Sequence, residues 1–292
     1  MPPVLLMLLL AALWGASFLF MRVAAPALGA VWLIGLRVVV AALFLLVAAL
    51  ATRRALQRPN VRHYLVLGLF NTGLPFLCYG FAALSLPASL MAILNATAPI
   101  WGVLVGWLWL GQRPGATVFA GLALGVAGVA VLVGGGRFDA AAQPAVVACL
   151  TATLGYAIAS HYSKRHAQGL TAFEAAHGSM WGAALWLVPP LFAAPVPAAP
   201  VPQVWLAVLA LGIACTGAAY LLYFRLIALI GAAQALTVTF LIPVFGVLWG
   251  ALFLGERLGP GAFGGALLVL AGTALVTGFV PARLKRSRMP PG

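Results

Sequence analysis

Apolar residues run along this chain in long unbroken stretches, with no alternation of polar and apolar positions inside them. Cutting at charge clusters and Gly/Pro groups leaves ten such stretches, at 4–23, 30–51, 64–84, 88–110, 116–134, 144–162, 171–193, 203–225, 232–254 and 260–280. Each is near the ~20 residues that a helix needs to cross a hydrocarbon core of about 30 Å. Backbone polar groups in lipid must be satisfied within a helix or a closed barrel, and continuous apolar runs exclude the alternation of a barrel. The pattern therefore predicts an all-α integral membrane protein with ten transmembrane helices. The first stretch has no basic segment before Val4 and reads as a span, not as a cleaved signal.

Composition agrees: 64% of residues are hydrophobic and 7% charged, against about 25% charged in soluble domains. The net charge of +13 reflects a shortage of acids, since Asp139, Glu174 and Glu256 are the only three. The cations sit in short loops, which points to membrane orientation and away from nucleic acid. With the N-terminus cytoplasmic, twelve cations face inward: Arg53, Arg54, Arg58, Arg62, Arg113, Lys164, Arg165, Arg225, Arg283, Lys285, Arg286 and Arg288. Three face outward, Arg22, Arg137 and Arg257. Positive charge favours the cytoplasm, so both termini are expected inside. Cys78, Cys149 and Cys215 lie within apolar segments without metal-like spacing and read as small core residues; no metal or cofactor is expected.

One phrase occurs twice. "PIWGVLVGWLWLGQR" begins at Pro99 and "PVFGVLWGALFLGER" at Pro243, and the surrounding chain aligns 66–134 with 210–278 without a gap. About a third of the aligned positions match, as expected of duplication. Shared residues include Gly68/Gly212, Thr72/Thr216, Gly73/Gly217 and Tyr79/Tyr223. The alignment maps helices 3 to 5 onto 8 to 10; the offset of five is odd, so the copies cross the membrane in opposite senses. A five-plus-five inverted repeat is a recurrent construction of secondary transporters.

Chemistry-bearing residues cluster near the repeated phrases. Pro99 and Pro243 are equivalent, and a proline within a helix frees the carbonyl four residues back, here at Asn95 and Thr239. The two prolines read as helix kinks, either presenting carbonyls to a midplane site or packing with a neighbouring Ser or Thr as partner. Around them lie Asn71, Thr72, Tyr79, Asn95, Thr97 and Trp101 from one copy, and Thr216, Tyr220, Tyr223, Gln234, Thr237 and Thr239 from the other. Trp14 and Ser17 on the first helix and Tyr156 on the sixth add aromatic and hydroxyl groups suited to an organic ligand. Substrate-binding candidates are thus Trp14, Ser17, Asn71, Tyr79, Asn95, Trp101, Tyr156, Tyr223, Gln234, Thr239 and Arg37. Arg37 is the one cation well inside a span; it either holds a substrate carboxylate or caps carbonyls and snorkels. Glu174 and His177 share one face of helix 7 and are candidates for proton coupling, or else form a solvated helix end.

Ten spans in inverted halves, "LWGASFLFMRVA" in the first helix, and the two "P-x-x-G-V-L … L-G-x-R" ends resemble the drug/metabolite transporter superfamily in its EamA-type branch. The resemblance covers the whole chain. It implies a multi-pass carrier of the bacterial inner membrane, often an exporter of amino acids or related metabolites, with a central cavity lined by both halves. Residues 1–139 and 140–282 form the two EamA-type repeats on this reading, and 283–292 a basic cytoplasmic tail. The family usually closes both phrases with Gly-Glu, whereas this chain has Gly111-Gln112 in the first. The expected partners are the lipid bilayer and a small-molecule substrate, with no nucleic acid, and the chain acts as a monomer or a homodimer. A facilitator or exchanger of other metabolites or drugs, a receptor, and a membrane enzyme are the competing classes. No G-x-S-x-G, H-E-x-x-H or phosphate-loop motif supports an enzyme or an ATP-driven pump.

Overall fold

A computed structural model of the chain describes residues 1–53, 60–135, 142–167 and 169–278. Arg54, Arg58, Arg137, Asp139 and the basic tail, which entered the charge count above, lie outside the described residues. All regular structure among the described residues is helical. The α-helices are α1 (Pro3–Ala51), α2 (Val61–Leu67), α3 (Leu74–Ala82), α4 (Ala88–Asn95), α5 (Ala98–Leu110), α6 (Ala116–Gly135) and α7 (Gln143–His166). They continue with α8 (Ala172–Ala193), α9 (Pro202–Leu209), α10 (Ala219–Ile230), α11 (Ala232–Ala235), α12 (Val238–Leu254) and α13 (Pro260–Thr277). Gly68–Gly73 joins α2 to α3, and Ala210–Ala218 joins α9 to α10, each as π-helix.

Seven of these runs, counted among the described residues, are long and apolar enough to cross a membrane on those grounds alone. The first has 49 residues, or roughly 75 Å of helix at 1.5 Å per residue, more than twice a hydrocarbon core. It bends at Gly29, whose φ of 70° and ψ of 163° interrupt the helix three residues after Pro26. The expected spans 4–23 and 30–51 are therefore two limbs of one run. The chain stays helical through residue 28, where the sequence suggested a loop. The shorter α12 is apolar as well, while α8 is not among the seven.

The most extensive helix pair is α6 with α13. A Cβ on Gly121 would lie 2.8 Å from the Gly272 carbonyl oxygen, and one on Gly128 would lie 2.9 Å from that of Gly265. In the sequence alignment Gly121 pairs with Gly265 and Gly128 with Gly272. Each contact is thus the image of the other, as at a two-fold axis. Glycine permits that approach because lipid supplies no hydrophobic drive between helices and close van der Waals packing must do so.

Elsewhere α1 packs on α12 and on the second π-helical stretch, while α8 packs on α2 and the first. The largest buried cluster gathers Phe18, Met21, Ile34, Tyr79, Met91 and Ile93 from α1, α3 and α4. Large apolar side chains such as Val47, Leu108, Leu185, Phe192 and Phe253 are exposed, which suits a lipid-facing surface. Trp109, Trp186 and Trp205 are exposed too, as interfacial anchors are.

Candidate functional site

The two π-helical stretches fall on aligned parts of the repeat and carry the buried pair Thr72 and Thr216. Such stretches arise as local insertions in α-helices and leave backbone groups out of the regular ladder, often at functional sites. The Thr216 hydroxyl donates to the Leu211 carbonyl, five residues back, at 2.7 Å. The same oxygen accepts from Arg37 Nε at 3.1 Å. Thr72 Oγ1 donates to Ser179 Oγ on α8 at 3.4 Å.

Arg37 occupies the second limb of α1, and only 4% of its surface is exposed. Its guanidinium carbon lies 3.7 Å from the centre of the Phe76 ring, and Nη1 reaches Met21 Sδ at 3.5 Å. The head group turns into the bundle toward a residue in the middle of the 202–230 run, so it does not snorkel to an interface. Tyr156, Cys215 and Tyr220 are close enough for its charge to act on them. Tyr220 accepts from Asn71 Nδ2 at 3.4 Å, joining the first π-helical stretch to α10. Arg37, Asn71 and Tyr156 thus come together with Phe76, Thr216 and Tyr220.

Other expected residues gather in pairs. Trp14 stands 5.3 Å from Tyr223, centre to centre, joining α1 to α10. The Tyr79 hydroxyl donates to Asn95 Oδ1 at 3.0 Å. Ser17 is buried, and its hydroxyl has only the Cys215 thiol, a weak partner, beside it. Trp101 is half-buried near the start of α5, whereas the Gln234 side chain is exposed on α11, apart from the Arg37 group. Thr239 bonds locally, its hydroxyl donating to the Leu236 carbonyl at 2.8 Å.

The repeated prolines sit differently in the two copies. Helix α4 ends at Asn95 and α5 starts at Ala98, which places Pro99 in the first turn, where its missing N–H costs nothing. Pro243 lies inside α12, beyond a break at 236–237. At the first break, Thr97 donates to the Leu94 carbonyl and Thr273 to that of Ala96, each at 2.7 Å. Thr97 and Thr153 also bond to each other at 3.2 Å. Thr273 therefore takes the Ala96 carbonyl, while that of Leu94 accepts from both the N–H and the hydroxyl of Thr97.

Glu174 closes a capping box at the start of α8. Its carboxylate accepts from Thr171 N at 3.0 Å, and its own N–H donates to Thr171 Oγ1 at 3.2 Å. This is a solvated helix start. His177 is buried, and its Nε2 accepts from Trp181 Nε1 at 2.9 Å. The shared helix face has not made the two residues a bonded pair.

A polar cluster that sequence reasoning did not single out lies where α4 begins. Glu256, just past α12, accepts from the N–H groups of Ala88 at 2.7 Å and Ser89 at 2.9 Å. Arg22 Nη1 donates to the carbonyls of Ala83 at 2.8 Å and Leu84 at 2.9 Å. Both side chains line a crevice of about 380 Å³ with Pro26, Pro87 and Leu254. The only sequence signal was the "LGER" ending, and it says nothing of a partner in the other half.

The EamA-like transporter family matches residues 1–134 and, a second time, residues 143–278. The uncharacterized transporter YvbV of Bacillus subtilis is 26% identical over 93% of this chain and 90% of its own. A probable terminal-alkyne amino-acid exporter of Streptantibioticus cattleyicolor is 27% identical over 90% of this chain and 89% of its own. One crystal structure superposes on 98% of this chain and 99% of its own with a TM-score of 0.66 at 21% identity, a likeness of fold alone. Two matches that together take in nearly the whole chain make this protein a member of the EamA-like transporter family.

Proposed function

We propose that this transporter moves a small organic metabolite, an amino acid or a related compound, out of the cell across the bacterial inner membrane by alternating access. Two inverted five-helix halves, residues 1–139 and 140–282, would each open to one side, with both termini in the cytoplasm. The observation that carries the reading is the mirrored crossing of α6 and α13, in which aligned glycines of the two halves exchange places. Two like bodies joined at a self-complementary contact can rock against one another, which is how repeat-built carriers expose a central site to each side in turn.

The amino-acid class draws support from the Streptantibioticus relative and from the buried polar group around Arg37. On this reading Trp14, Ser17, Asn71, Tyr156 and Tyr223 line the path, with Tyr79 and Asn95 bracing the break before α5. The chain works by binding and conformational change, without catalysis or cofactor, driven by a gradient.

The test uses the purified protein in proteoliposomes. A thermal-shift screen of amino acids and other small metabolites selects ligands, since a ligand that binds only the folded state raises its stability. Each is then assayed for counterflow. Exchange of an internal labelled ligand for the same external ligand is the expected result; ligands that bind without exchange would leave a receptor as the better description.

A further inference from the structure

Arg37 has an unusual balance of contacts for a buried cation. A guanidinium carries five N–H donors and stays protonated even in apolar surroundings. Its hydrogen bonds here are Nε to the Thr216 hydroxyl and Nη1 to a thioether, a weak acceptor. Among the described residues Nη2 makes none, and no carboxylate lies against the group. Glu174 is engaged with Thr171 and Glu256 with Ala88 and Ser89, while Asp139 lies outside the described residues. The Phe76 ring offers attraction to the cation but no countercharge. A charge withdrawn from water without an opposite charge destabilises the fold, and positions of this kind in membrane proteins mark substrate or ion pathways.

A second observation points the same way. Ser17 lies one turn before Met21 on the same face of α1, and Met21 touches Arg37. The Ser17 hydroxyl is buried with no strong acceptor or donor, only the Cys215 thiol, a weak partner, beside it. An underused guanidinium and a weakly partnered hydroxyl are thus presented by two limbs of one bent helix, beside the hydroxyl of Thr216. A carboxylate has two oxygens to accept from such a set, and its charge supplies what the protein omits.

We propose that Arg37 is the recognition site for a carboxylate on the transported molecule, so that the substrates are small organic acids with a free carboxylate, zwitterionic amino acids included. Amines and amides of the same skeleton are not substrates. This rests on the transport reading above. In the empty protein the guanidinium rests on Phe76 and Thr216; on binding, the carboxylate takes Nη2 and one proton of Nη1.

The experiment uses the full chain in nanodiscs and matched probes: L-phenylalanine, 3-phenylpropanoate, phenylalaninamide and phenethylamine, with the leucine-derived set beside them. The expected result is that at least one carboxylate raises the melting temperature while its amide and amine do not. Arg37→Gln should weaken that binding at least about thirty-fold, as loss of one partner of a buried charge pair does, and Arg37→Lys should retain part of it. Without ligand, Arg37→Gln should melt at or above the wild type, because an uncompensated buried charge has been removed. Stabilisation by amines or amides equal to that by acids would overturn the proposal, as would undiminished acid binding by Arg37→Gln or no shift from any carboxylate. An Arg37→Gln protein that melts lower or does not fold also counts against it, because it would make the arginine structural. Arg37-dependent binding of acids without counterflow would overturn the transport reading and leave the site standing. Amine counterflow that Arg37→Gln does not alter would do the reverse.

Discussion

Replacing Glu256 by alanine should loosen the joint between the end of α12 and the start of α4. The carboxylate accepts two hydrogen bonds, at 2.7 Å and 2.9 Å, from the first amides of α4. Those amides belong to the four that no helix can satisfy internally. Loss of a capping acceptor costs about 0.5–2 kcal/mol, and a negative charge at a helix start adds about 0.3–1 kcal/mol. Two bonds to one charged acceptor, on a half-buried side chain, put the total at about 2 kcal/mol. That corresponds to a shift of roughly thirty-fold in the equilibrium between the joined and parted ends. Ser89 is 2% exposed, so a cysteine placed there reacts with a membrane-impermeant maleimide only when the joint opens. With closing fast relative to labelling, the rate tracks the open population. The Ser89→Cys protein should therefore label about thirty times faster when Glu256 is alanine. Glutamine, which keeps one acceptor oxygen but no charge, should fall between. Equal labelling rates in all three would show that the carboxylate does not hold this end together.

Three further pairs of substitutions can be read in thermal unfolding. Gly272→Ala would set a Cβ 2.6 Å from the Gly121 carbonyl oxygen and the Gly125 nitrogen, and should cost about 1–3 kcal/mol; Gly264→Ala, with open space around it, should stay near the wild type. Gly29→Ala meets no neighbour within 4 Å but must hold φ near 70°, and should cost about 1–3 kcal/mol; Gly102→Ala, in open helix, should stabilise slightly. Glu174→Gln preserves the capping box and should change stability by less than about 0.5 kcal/mol while leaving the response of transport to a pH gradient intact; Thr171→Ala should cost about 1 kcal/mol.

Sequence alone gave the fold class, because lipid leaves the backbone few alternatives and the apolar runs are long. It also singled out Arg37 as a candidate, since a cation inside a span is conspicuous without any coordinates. The partners of Arg37 were harder to see. Thr216 was one of a dozen polar residues in the aligned copies, and only the π-helical turn brings its hydroxyl to both Leu211 and Arg37. Glu256 was visible as a difference between the copies, but its contact spans 168 residues of chain. Periodicity and spacing report on neighbours within a helix and are silent at that range.

The repeated prolines show a different reason for a limit. Pro99 and Pro243 are shared by both copies, yet the break falls at 96–97 in one and at 236–237 in the other, one helical turn earlier in the alignment. The position of the break follows a residue that the copies do not share. Thr97 back-bonds to the Leu94 carbonyl, and its aligned partner is Leu241; Thr237 back-bonds to the Gln234 carbonyl, and its aligned partner is Ile93. In each half the break therefore comes at a threonine whose hydroxyl offers the carbonyl three residues back an alternative to the helical ladder. The proline C-terminal to it then has a different cost: none in the first turn of α5, and a lost backbone bond within α12. Exchanging the two residues, with Thr97→Leu and Ile93→Thr in one chain, should move the first break one turn toward the start of α4, and amide exchange at Ile93 to Thr97 would register it.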